Sequence, residues 1–71
     1  MPLSARNQFQ GTVKSVRHGA VMSEVVIDVN GLQIVSLIST SSAKRLRLRK
    51  GRPAVAVIKA TEVIISTDDV R

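Results

Sequence analysis

Apolar residues recur along this chain with a period of two or in short runs, and Val, Ile and Leu are abundant while helical spacing is scarce. That pattern predicts a β-rich domain. Phe9 and Val13, with Gly11 between them, fit one face of a first strand over residues 7–17, and the switch to Val16 breaks the alternation as a bulge does. Residues 20–29 give the clearest strand, with Val21, Val25, Ile27 and Val29 on one face and Glu24 and Asp28 on the other. Met22 and Val26 share the polar face, so part of it is covered. Asn30-Gly31 then predicts a type I′ hairpin, because both central positions of that turn need positive φ. It folds the second strand into a third over residues 32–38. The hydroxyl run Ser39, Thr40, Ser41, Ser42 precedes residues 43–48, which read as a short capped helix with Leu46 turned inward. Lys50-Gly51-Arg52-Pro53 ends it; residues 54–59 form a fourth strand, 62–65 a fifth, and 66–71 a polar tail. Five strands with one short helix between the third and fourth predict a small OB-type barrel. No linker, repeat or low-complexity segment divides the chain, so residues 1–71 are read as one domain.

Seventy-one residues lie near the size at which a single core barely outweighs the entropy of ordering the chain. With no cysteine, neither disulfides nor a thiolate metal site can add stability, and association into a homo-oligomer is the remaining route. The formal net charge of +6 favours anionic partners. Without a membrane-length apolar run or the hydrophobic core of a signal peptide, a cytoplasmic chain is expected.

Three segments carry candidate chemistry: Ser4, Ala5, Arg6, Asn7, Gln8; Ser39 to Ala43; and Ile58, Lys59, Ala60, Thr61. Each sets hydroxyls or one cation beside small residues at a strand end, and none contains a carboxylate. A tetrahedral dianion only accepts hydrogen bonds, so a site for it needs convergent N–H and O–H donors and one or two cations. Lys59 follows the apolar pair Val57-Ile58, where an uncompensated ammonium is costly; an anion, or Glu62, would compensate it. Ser42 reads as the helix cap in any case, with the Ala43 amide beside it. His18 is the only histidine, and without a Cys or His partner it builds no metal site; a solvated turn residue is the simpler reading. No nucleophile, base and carboxylate stand at motif spacing, so no enzyme and no cofactor is expected.

Lys44, Arg45, Arg47, Arg49 and Lys50 put five cations in seven residues, and on an OB barrel such a run raises an alternative, a small nucleic-acid-binding module. The single aromatic, Phe9, weighs against it, because single-strand binders of this fold stack bases on several aromatics.

Ser4-Ala5-Arg6-Asn7-Gln8, Gly19-Ala20-Val21-Met22, Ser42-Ala43 with Leu46 and Leu48, and Ile58-Lys59-Ala60-Thr61-Glu62-Val63 together resemble the molbindins, small Mop-type molybdate-binding proteins. The similarity runs from about Leu3 to Ile65. It implies an OB-like barrel that exchanges strands between subunits, a hexamer built as a trimer of dimers, and molybdate or tungstate held at subunit interfaces for intracellular storage or homeostasis. Carried over residue by residue, it assigns the oxyanion to Ser4, the Ala5 amide, Arg6, Ser39, Ser42, the Ala43 amide, Lys59, Ala60 and Thr61. It also implies a second oxyanion site near a threefold axis, to which the turn His18, Gly19, Ala20 could contribute. The chain departs from the family in reading Leu46-Arg47-Leu48 where Leu-Gly-Leu is common, and in a basic turn around Lys50 to Pro53.

Overall fold

The computed structural model describes residues 5–67. Four strands, β1 (Asn7–His18), β2 (Met22–Val29), β3 (Leu32–Ser39) and β4 (Pro53–Ile58), form one antiparallel sheet in the order β3-β2-β1-β4. A short helix, α1 (Thr40–Arg45), joins β3 to β4, and a single 3₁₀ turn, Ala60–Glu62, follows β4. The twelve-residue β1 is the spine. Its first half pairs with β4, from Asn7 with Ile58 to Thr12 with Pro53, and its second half with β2, ending with His18 opposite Ser23.

The local signals explain these elements. Asn30 and Gly31 both have positive φ, 51° and 89°, which matches the type I′ twist and sets Val29 against Leu32. The bulge lies at Lys14: Val13 pairs with Ile27 and Ser15 with Val26, so Lys14 is the extra residue and the side chains beyond it change face. Val16 thereby rejoins the inner face with Val25. The core is small. Val13, Val25, Ile27 and Ala56 are buried, with Val16, Val29, Ile34, Ile38, Leu48 and Ala54 packed around them.

The helix differs from its predicted span. It starts at Thr40, and its N-cap is Ser39, whose Oγ accepts from the Ser42 amide at 3.1 Å. The cap therefore lies three residues earlier than expected, because the first hydroxyl after the strand is already placed to meet an amide of the first turn. The C-terminus closes as a Schellman motif, with Arg47 N–H donating to Lys44 O at 3.0 Å and Leu48 N–H to Ala43 O at 3.1 Å. The reversal turns Leu46 outward, 52% exposed, and Leu48 packs on the core in its place. It also sets Arg47 at φ 56°, where glycine is the favoured residue. Arg47→Gly is accordingly expected to raise stability by about 0.5–1 kcal/mol in chemical denaturation. A fall in stability would show that the Arg47 side chain contributes more than its backbone costs.

The fifth strand is the main correction to the fold. Residues 62–65 form no strand in the single chain: the turn Ala60–Glu62 interrupts the path of β4, and the residues after it find no sheet edge of their own chain. Ile64 and Ile65 are left 92% and 78% exposed. The sheet is accordingly open and four-stranded. Between its edge strands β3 and β4 runs an apolar groove of ≈ 690 Å³, lined by Ile34, Ile38, Leu48, Ala54, Ala56 and Ile58 among others. No helix among the described residues is long and apolar enough to cross a membrane.

Candidate oxyanion site

Two of the three candidate segments meet at one end of the sheet. Asn7 and Ile58 are the last pair of the β1–β4 ladder, so Arg6 and Lys59 are the residues that flank its end. The Gln8 Nε2 amide donates to the Ala5 carbonyl at 2.7 Å and fixes the approach to β1. On the other strand the Glu62 amide donates to the Lys59 carbonyl at 2.8 Å, which wraps the turn around Lys59. That turn has no side-chain cap, so the Ala60 and Thr61 amides at its start are not satisfied by a hydroxyl. Two exposed cations, Arg6 and Lys59, therefore flank this end of the sheet. Glu62, the alternative partner for Lys59, makes no ion pair with it. Ser4 lies outside the described residues.

The third segment sits elsewhere. Ser39 ends β3 opposite Met22, at the end of β2 where Ser23 faces His18, so α1 lies by the last residue of β1, whereas Arg6 adjoins the first. Twelve residues of strand at about 3.3 Å each span about 36 Å if straight. Arg6 and Lys59 thus lie at the opposite end of β1 from Ser39, Ser42 and Ala43. At the helix start the Thr40 amide donates to Val21 O at 2.7 Å, the Ser42 amide to Ser39 Oγ, and the Ser39 hydroxyl to Ser42 Oγ at 2.8 Å. Ala43 is fully buried in the second turn, where helix amides bond back to the N-cap carbonyl, so its amide is a poorer donor to a ligand than the sequence suggested. The Ser41 amide is the open donor of the first turn. Sequence reasoning passed over it because the cap was placed three residues late.

A buried hydroxyl chain that the sequence reading missed anchors this end. Thr40 Oγ1 donates to the Gly19 carbonyl at 2.8 Å, so its one proton is committed and it must accept from Ser23 Oγ, also at 2.8 Å. Ser23 must in turn accept from His18 Nδ1 at 2.8 Å. The network assigns the Nδ1–H tautomer to neutral His18 and leaves Nε2 facing outward. The Gly19 amide is engaged with Met22 O at 2.8 Å, so of the turn His18, Gly19, Ala20 only Nε2 and the Ala20 amide remain for a ligand. Ser23 was legible as the one polar residue on the otherwise apolar inner face of β2. Thr40→Val should cost about 1–3 kcal/mol in denaturant unfolding, because it strands the Gly19 carbonyl and the Ser23 hydroxyl. An unchanged midpoint would mean that water replaces the hydroxyl freely.

Among the described residues no group of three or more His, Cys, Asp or Glu is placed to hold a metal ion.

The TOBE domain family matches residues 3–65. The probable molybdenum-pterin-binding protein of Haemophilus influenzae is 41% identical over 96% of this chain and 100% of its own length. The molybdenum transport protein ModE of Herbaspirillum seropedicae is 42% identical over 96% of this chain, which spans about a quarter, 26%, of that relative's length. Among solved structures, the molybdate binding protein from Sporomusa ovata superposes with a TM-score of 0.89 at 36% identity, covering 94% of this chain and 100% of the other. The chain belongs to the TOBE domain family and, within it, to the Mop-type proteins, the molbindins that its motifs resemble.

Proposed function

We propose that this chain is a homo-oligomeric molybdate- or tungstate-binding protein that acts by equilibrium binding, without catalysis, in intracellular storage or homeostasis in the cytoplasm. One observation carries the reading. Arg6 and Lys59 flank one end of the β1–β4 ladder and a hydroxyl-rich helix start lies at the other end of β1, which supports a site whose two halves come from different chains. An isologous dimer pairs each half with its complement twice and so makes one such site per chain. Arg6 and Lys59 offset the dianion, Ser4, the Ala5, Ala60 and Thr61 groups and the hydroxyls of Ser39 and Ser42 orient it, and burial at the interface excludes competing water.

Strand exchange between subunits is part of the same proposal. The exposed residues Val63, Ile64 and Ile65 supply a missing fifth strand, and the groove between β3 and β4 is an apolar cleft with open edges. Completion of each barrel by a neighbour's residues 62–65 would cover both surfaces, and three such dimers would form the hexamer. There, copies of His18 and Ala20 from symmetry-related chains would make the second, weaker oxyanion site. The nucleic-acid alternative loses ground because Phe9, the only aromatic, offers no stacking platform. Isothermal titration with molybdate, against sulfate and phosphate at moderate salt, tests the function. Saturable binding of molybdate is expected, with sulfate and phosphate weaker. Equal binding of all three, or none, would contradict it.

A further inference from the structure

Six of the eleven Lys and Arg residues lie between positions 44 and 52, and neither the fold nor the proposed oxyanion site uses them. Backbone geometry gathers part of this charge with a cation from a distant segment. Lys14 is the extra residue of the β1 bulge. The turn from Arg49 to Arg52 closes on itself through Arg52 N–H to Arg49 O at 3.1 Å, with Gly51 at φ 89°. It is clamped to β1 beside the bulge by Gly51 N–H to Val13 O and Val13 N–H to Arg52 O, both 2.9 Å. The result is an open concavity walled by Lys14, Ser15, His18, Arg49 and Lys50, with no carboxylate in its lining. Among the described residues these cations make no ion pair. Just beyond it, Arg47 occupies the left-handed position that glycine would fill at lower cost.

We propose that this concavity binds the linked phosphates of a small phosphorylated ligand, at a site independent of the Arg6–Lys59 pair. Exposed cations are screened within about 8–10 Å at ordinary salt, so one tetrahedral dianion gains little from them. An anion carrying charge at several linked points engages Lys14, Arg49 and Lys50 together, so each contact after the first is intramolecular. The Arg49 guanidinium offers a bidentate grip and the Ser15 hydroxyl a further donor. The nearest flat apolar surface is aliphatic, from Val16 and Leu48, so the phosphates and not a base supply recognition.

The full chain should be titrated calorimetrically with tripolyphosphate at moderate salt, with and without molybdate at the level that fills only the tighter Arg6–Lys59 site, with orthophosphate, ATP and a short single-stranded oligonucleotide as separate arms. Tripolyphosphate and ATP are expected to bind saturably and alike, unaffected by molybdate, and orthophosphate about tenfold or more weaker. Lys14→Glu and Arg49→Glu should each weaken tripolyphosphate about tenfold. Both positions are exposed, so amide NMR spectra of the variants should keep the native dispersion; Lys50→Glu gives a third, independent reversal. Absence of saturable binding, affinity indifferent to the charge reversals, or competition with molybdate would overturn the proposal. An oligonucleotide bound more tightly than tripolyphosphate would overturn it in favour of a nucleic-acid surface.

Discussion

Lys59→Ala should weaken molybdate binding about 30- to 150-fold, the equivalent of about 2–3 kcal/mol for one charge-assisted contact to a dianion held out of water. The effect is expected to be large because the lysine has no competing partner: it sits one residue beyond β4, exposed in the single chain, with Glu62 unpaired to it and Arg6 flanking the same end of the ladder. Removing it leaves Arg6 alone to offset two negative charges. The fold should be unaffected, since Lys59 lies outside the strand and packs on no core residue. Calorimetric titration paired with a thermal unfolding curve separates the two effects. An unchanged affinity would remove Lys59 from the site and much of the reason for placing an anion there.

The largest effect on stability is expected at Gly11. A Cβ there would collide with the carbonyl oxygen of Asp28 and lie 2.9 Å from Val29 Cγ2 and 3.0 Å from Ile27 Cγ2. The crowding has a topological cause. Gly11 stands in the middle of β1, where the strand is paired with β4 and coils towards its pairing with β2, so the β2 backbone comes close over it. The obstructing carbonyl is backbone and cannot rotate away as a side-chain tip would. Gly11→Ala should therefore cost about 2–4 kcal/mol and lower the Tm by about 10–25 °C at fixed protein concentration. A loss under about 1 kcal/mol would mean that the strand crossing yields more easily than its geometry implies.

What was legible in the sequence depended on whether the deciding interaction was local. The hairpin at Asn30-Gly31 is set by two consecutive positive φ values, and the bulge by a break in alternation between Val13 and Val16. Both were read within a residue or two. The helix was displaced by three residues because four consecutive hydroxyls make four possible caps. Only the strand end decides that Ser39 takes the role. Residues 62–65 have the composition of a strand, but a strand needs an edge, and which edge is available depends on topology and on other chains. The candidate site divides in the same way. Arg6 and Lys59 were named together from residue type and resemblance, and each directly follows the last pair of the β1–β4 ladder, Asn7 with Ile58. That Ser39 and Ser42 lie at the far end of β1 follows from strand order, which no local pattern encodes. The hydroxyl chain through Ser23 and Thr40 joins residues 17 positions apart and is equally invisible locally.

The central claim, that each oxyanion site is assembled from the Arg6–Lys59 end of one chain and the Ser39–Ser42 end of another, is tested most directly by mixing two defective chains. Lys59→Glu spoils one half-site, and Ser42→Asp places a carboxylate in the other while remaining favourable in the first turn of a helix. Each variant alone should fail to bind molybdate. Co-folded together, they should regain wild-type affinity at one anion per mixed pair, because one of the two sites then combines an intact Lys59 with an intact Ser42. If the mixture binds no better than its components, the site is not shared between chains.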